Sequence, residues 1–183
     1  DPEFFPATVM NYKLGGSFNG ILNLILREEK GYTYGARSRF NGGETGGTFV
    51  ASTSVQSDAT RETLAIIAEE IRRYRRAVED EDLAFSRNAL LKANARSYET
   101  LRALVGILDQ IALYNLPDDF IEQQEAFIRN LTRAEHLRLA QRHLRPEEMT
   151  LLVVGDAKSR LESLSDLGYG VPVLLDKEGK RID

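Results

Sequence analysis

The ten residues Leu26-Arg27-Glu28-Glu29-Lys30-Gly31-Tyr32-Thr33-Tyr34-Gly35 constrain the fold of this chain more than any other stretch. A charged run suited to the end of a helix meets Gly31, which takes a positive φ at little cost, and the pattern then switches to period two. Tyr32 to Phe40 alternates Tyr32, Tyr34, Ala36, Ser38 and Phe40 against Thr33, Gly35, Arg37 and Arg39. Thr48 to Gln56 alternates Phe49, Ala51, Thr53 and Val55 against Val50, Ser52 and Ser54, and the glycine-rich Asn41-Gly42-Gly43-Glu44-Thr45-Gly46-Gly47 between them predicts a hairpin. An arginine and a tyrosine thus stand where a helix end turns into a strand.

Around this segment the periodicities predict an ordered series. Phe4 to Leu14 and Phe18 to Glu29 read as helices parted by Gly15-Gly16, where a positive-φ turn is expected. After the hairpin comes a helix with Asp58 as N-cap and Leu64, Ile67, Ile71 and Tyr74 on one face. A long helical region from Glu81 to Asn115 follows, with a stripe of Leu101, Leu104, Val105, Leu108 and Ala112, then a helix from Asp118 to Arg129. Thr132-Arg133-Ala134-Glu135 is a capping box opening a helix that stops before Pro146. Met149 to Val154 reads as a buried strand that joins the hairpin in one sheet, and Ser159 to Leu164, Gly168-Tyr169-Gly170 and Val171 to Leu175 as a short helix, a turn and an extended end. A hairpin, several helices and a return strand make an α+β order: a two-layer sandwich of a mostly antiparallel sheet with helices on one face, in one domain spanning residues 1–183.

Composition closes off several functions. With 24 Lys and Arg against 28 Asp and Glu, a net charge of −4, the chain has no nucleic-acid footprint. The cluster Arg72-Arg73-Tyr74-Arg75-Arg76 reads as cations complementing a helix C-terminus rather than a phosphate or membrane-surface site. The absence of cysteine removes disulfides, thiolate metal sites and cysteine nucleophiles. No apolar run approaches the ~18 residues of a membrane span. A start at Asp1 without an initiator methionine or signal pattern fits a fragment of a longer protein. The compartment stays open; the expectation is a soluble protein of a bacterial cytoplasm or periplasm.

Few residues invite chemistry. His136 and His143 share a helix seven positions apart, about 10 Å along its axis and too far for one metal. Thr132-x-x-Glu135-His136 misses an H-x-x-E-H zinc motif by its first ligand, and the capping box accounts for the same residues. Gly15, Gly16 and Gly20 lack the lysine of a phosphate loop, and Val153-Val154-Gly155-Asp156 has one glycine where a dinucleotide fingerprint needs three. Arg27 and Tyr34 by themselves allow a plain reading: an arginine at a helix C-terminus and a tyrosine half-buried in a sheet.

Taken together, Asn11-Tyr12-Lys13-Leu14-Gly15-Gly16-Ser17-Phe18-Asn19, the Leu26 to Gly35 segment, the hairpin and the closing Val153-Val154-Gly155-Asp156 resemble the C-terminal-type domain of the pitrilysin/insulinase zinc metallopeptidases, which include the mitochondrial processing peptidase. The resemblance runs from about Asn11 to Asp156. It implies one of two homologous halves facing each other across a chamber, this half supplying an arginine, Arg27, and a tyrosine, Tyr34, that hold peptide substrate. Tyr32 is the neighbour of the match. Zinc, on this resemblance, is bound by the partner half, in the same full-length chain or in another subunit, and not by this chain. Two departures stand out: the family's additional strand before Phe4 is missing, and H-x-x-E-H is absent. The resemblance therefore implies the non-zinc half of a zinc endopeptidase, inactive alone, or else a catalytically inactive scaffold of the same fold; an unrelated α+β binding module is the third reading.

Overall fold

A computed structural model of the protein describes residues 1–43, 46–96 and 99–182. Two short helices, α1 (Phe4–Asn11) and α2 (Ile21–Asn23), each run on into a π-helical segment, Tyr12–Gly16 and Leu24–Glu29. Their apolar faces supply Met10, Leu14, Leu22 and Leu26, all fully buried in the main core. Gly15 was expected to take a positive φ and does not. Its reason is proximity: a Cβ there would lie 2.6 Å from the Ser38 backbone nitrogen. Gly31 does close the second helix with φ 67°. Its N–H donates to the Arg27 carbonyl at 3.2 Å, and the Tyr32 N–H to the Leu26 carbonyl at 2.9 Å. Both bonds reach one residue further back than in an ordinary Schellman end, as a wider π-helical turn requires.

Strands β1 (Thr33–Gly43) and β2 (Gly46–Val55) pair antiparallel, with Phe40 opposite Phe49 and Gly43 opposite Gly46. The strands thus extend further into the glycine-rich loop than expected; Glu44 and Thr45 at its tip lie outside the described residues. Ala36, Ser38 and Phe40 face the helices, while Arg37 and Arg39 face out. On the edge of β1 away from β2, two buried asparagines take the place of a neighbouring strand. Asn23 Oδ1 accepts from the Ala36 N–H at 3.0 Å, and Asn11 Nδ2 donates to the Ser38 carbonyl at 2.8 Å.

Met149 to Val154 does not join this sheet, which has two strands among the described residues. The segment keeps the period-two burial, with Met149, Leu151 and Val153 partly buried and Thr150, Leu152 and Val154 exposed, yet forms no ladder. Alternation records contact on one side of an extended chain and does not supply a hydrogen-bonding neighbour.

The remaining helices are α3 (Thr60–Arg76), α4 (Asp80–Arg96), α5 (Leu101–Tyr114), α6 (Phe120–Asn130), α7 (Arg133–His143) and the single turn α8 (Ala157–Arg160). In α3, Ile67, Ile71 and Tyr74 enter the core, where the Tyr74 hydroxyl donates to the Met10 carbonyl at 2.9 Å. Asp58 lies in a 3-10 turn just before α3 and makes no cap. The long helix expected from Glu81 to Asn115 is broken before Leu101, where extended Thr100 caps α5 by accepting the Ala103 N–H. Nothing in α5 is buried; its apolar stripe, Leu101, Leu104, Val105 and Leu108, faces solvent. Thr132 caps α7 as expected, its hydroxyl accepting the Glu135 N–H at 3.2 Å, but the Glu135 carboxylate takes Arg138 rather than closing the second half of the capping box. Among the described residues no helix is long and apolar enough to cross a membrane.

Candidate functional site

Arg27 sits in the second π-helical segment, one turn before Gly31. A π turn rotates the following side chain away from its α-helical direction, and such insertions recur at functional sites. The Arg27 guanidinium lies 4.6 Å from the centre of the Phe18 ring, a cation–π contact, and its Nε is 3.4 Å from Glu28 Oε1. The side chain is about one-third exposed, so the ion pair is screened by water and the aromatic plane does more to fix its direction.

Tyr34 sits on a second irregularity. The register passes from Thr33 opposite Val55 to Ala36 opposite Thr53, so Tyr34 and Gly35 together face Ser54 in a β-bulge. The simple alternation put Tyr34 on the face of Ala36 and Phe40. The bulge overturns that: Ala36 is 1% exposed and Tyr34 98%. The extra residue breaks the parity of the strand, and the phenol swings from the core side into solvent. Its hydroxyl bonds to none of the described residues.

The bulge is clamped. The Thr53 hydroxyl lies 2.9 Å from the Thr33 hydroxyl and 3.0 Å from the Gly35 carbonyl; Thr33 Oγ1 accepts from the Gly35 N–H at 3.0 Å and donates to the Ser54 carbonyl at 2.7 Å. Asn23, whose oxygen takes the Ala36 N–H, donates through Nδ2 to the Phe18 carbonyl at 2.8 Å. It is a buried residue that the sequence reading passed over. The available signal is a lone polar residue inside the apolar run Ile21-Leu22-Asn23-Leu24-Ile25-Leu26.

Tyr32, by contrast, is fully engaged. Its hydroxyl donates to Glu62 Oε2 at 2.7 Å, and Lys30 Nζ meets the other oxygen of the same carboxylate at 3.0 Å. The hydrogen bond from Tyr32 and that from Lys30 hold the Glu62 carboxyl below its ordinary range. No bond joins Arg27 and Tyr34; a helix end and its glycine turn lie between them, Tyr34 fully exposed and Arg27 about one-third exposed.

The histidines serve the fold. His136 is buried in α7 with its ring 5.0 Å from that of Tyr74, edge to face, and neither of its nitrogens has a partner among the described residues. Burial drives its pKa down to about 4. His143 Nε2 lies 2.8 Å from Glu3 Oε2. Among the described residues no three His, Asp or Glu side chains converge as a metal ion would need. Three of the clustered arginines are matched with carboxylates, Arg72 with Glu69 and Glu147, Arg73 with Glu70, and Arg75 with Glu147, so the cluster is neutralised locally.

Residues 1–90 match the family described as the peptidase M16 inactive domain. No curated protein matches the chain in sequence. The peptidase M16 inactive domain from Pseudomonas fluorescens is similar in structure, with a TM-score of 0.73 and 24% identity over 80% of this chain and 35% of that one. The inactive peptidase domain of a candidate zinc protease from Bordetella parapertussis gives 0.60 and 19%, over 79% of this chain and 77% of that one. A candidate zinc protease from Bordetella pertussis gives 0.59 and 17%, over 79% and 81%. At these identities the likeness is one of fold, α+β. The chain spans 35% of the length of the Pseudomonas structure.

Proposed function

We propose, from the match of residues 1–90 to the peptidase M16 inactive domain and the absence of H-x-x-E-H from the sequence, that the chain is the substrate-holding half of a zinc-dependent endopeptidase. The partner half carries H-x-x-E-H, in the same polypeptide or in another subunit, and zinc held there supplies the activated water. The peptide lies between the halves. Attack on its carbonyl builds negative charge on oxygen, and the Tyr34 hydroxyl, bonded to none of the described residues, is available to donate to that charge. Arg27, always cationic and directed by the Phe18 ring, grips the peptide backbone through its planar donors.

The observation that carries this reading is the solvent-facing Tyr34 on a clamped bulge. A tyrosine used for packing would be buried or bonded, as Tyr32 and Tyr74 are. Here several hydrogen bonds maintain an irregularity whose main product is an outward phenol, an arrangement that contributes to recognition and little to stability. The test is reconstitution with the zinc half encoded in the same or the adjacent reading frame. Peptide hydrolysis should require both halves and slow when Tyr34 becomes phenylalanine. Pairing without any hydrolysis, or full hydrolysis with both Arg27 and Tyr34 replaced, would instead place the chain among scaffold subunits of this fold.

A further inference from the structure

We propose that Asn23 is a positioning residue that places Arg27 and Tyr34 as one unit, through the two ends of a single buried carboxamide. Its Nδ2 holds the Phe18 carbonyl at 2.8 Å, fixing the residue whose ring carries the Arg27 guanidinium. Its Oδ1 holds the Ala36 N–H at 3.0 Å, at the exit of the bulge that turns Tyr34 outward. Asn23 is 2% exposed and belongs to α2, which leads directly into the π-helical segment bearing Arg27. One planar group therefore spans the support of one side chain and the backbone of the other. Without it, the Phe18 carbonyl and the Ala36 N–H lose their bonds together, since both depend on the same amide. The inference of a catalytic consequence rests on the function proposed above; the coupling itself does not.

Asn11 provides the internal control. It is equally buried and bonds the same edge of β1 two residues further on, at Ser38, but has no link to Phe18. The experiment compares Asn23→Ala, Asn23→Asp and Asn11→Ala by amide exchange at Ala36 and by the ring-current shift of the Arg27 side chain over Phe18. Loss of the Ala36 bond should raise its exchange by about tenfold. In Asn23→Ala, Ala36 protection and the Arg27 shift should fall together; in Asn11→Ala both should persist. Asn23→Asp keeps an acceptor for Ala36 and loses the donor to Phe18, so only the Arg27 shift should move, returning as the carboxyl is protonated at lower pH. If Asn23→Ala fails to fold, the Asp variant still decides. Unchanged Ala36 exchange and Arg27 shift in the Asn23 variants, or equal losses in Asn11→Ala, would overturn the proposal.

On the reconstituted peptidase, Tyr34→Phe should cost much less in the Asn23→Ala background than in the parent, because misplacement by ~1 Å already forfeits up to about 10²-fold. In the Asn11→Ala background its full cost should remain. Full cost in the Asn23→Ala background would overturn the positioning role. If Tyr34→Phe and Arg27→Ala are both silent in every background, the peptidase reading fails, and the coupling stands or falls on the exchange data alone.

Discussion

The Tyr32 hydroxyl donates to Glu62 at 2.7 Å, whereas Tyr34, two residues on, leaves its hydroxyl in solvent. The two phenols therefore separate stability from chemistry. Tyr34→Phe should change stability by less than about 0.5 kcal/mol, since no internal contact is lost. It should lower the turnover of the assembled peptidase by roughly 10²–10³-fold, the usual effect of removing one donor to developing charge. Tyr32→Phe should lower the melting temperature slightly and leave turnover near the parent value. Denaturation curves and steady-state kinetics on the same variants check both; the opposite assignment of effects would identify Tyr32 as the working residue.

Acid should weaken the fold through His136. Buried with no hydrogen-bond partner among the described residues, it protonates at about 4 in the folded protein and near 6.5 when unfolded. Between these values the unfolded chain binds more protons, so stability falls as pH drops below 6.5 and the loss levels off below about 4. The full effect is at most about 3 kcal/mol. Glu3, whose carboxyl lies below its ordinary 4.5, loses its own contribution only at lower pH, and comparison of the parent with a His136 variant assigns the remaining slope to that side chain. Urea unfolding between the folded and unfolded histidine pKa values should show a slope in the parent that flattens in His136→Leu.

The glycines divide by what surrounds them. Gly15→Ala would drive a methyl to 2.6 Å from the Ser38 backbone nitrogen, which cannot move aside as a flexible side chain could, and should cost about 1–3 kcal/mol. Gly106→Ala, in the middle of α5 with nothing within 4 Å, should stabilise by about 0.5–1 kcal/mol. Thermal unfolding of the two variants should shift in opposite directions.

Glu3 ties the start of the chain to α7. Its carboxylate takes Arg138 at 2.7 Å, Arg142 at 2.9 Å and His143 at 2.8 Å. Glu3→Gln should cost about 1 kcal/mol in low salt and less in high salt, because its partners are partly solvated. A chemical-denaturation series at two ionic strengths reads the difference.

The frame was legible where one local rule governs. Gly31 closes its helix, Thr132 caps α7, and Ile67, Ile71 and Tyr74 face inward as the 3.6-residue spacing requires. For the candidate residues, the resemblance offers identities, while their geometry was not legible. A π turn has no periodicity distinct enough to read over six residues, so the direction of Arg27 was hidden. Counting by twos carried Tyr34 to the wrong face because one inserted residue, invisible in side-chain chemistry, breaks the parity of the strand at that point. Asn23 escaped because a lone amide in an apolar run becomes meaningful only once its two partners, far apart in sequence, are known. Met149 to Val154 shows the reverse error, a pattern with the spacing of a strand and no neighbour to pair with.

The asparagines along β1 also bear on how copies of such a sheet could meet. With Asn23 on the Ala36 N–H and Asn11 on the Ser38 carbonyl, the outer side of β1 is occupied over that stretch, and strand-to-strand contact there has only the β2 side to use. A sheet that can bind a neighbour along one edge cannot hand the pairing on to a third. Edge-to-edge association would terminate at a pair and could not propagate as a filament.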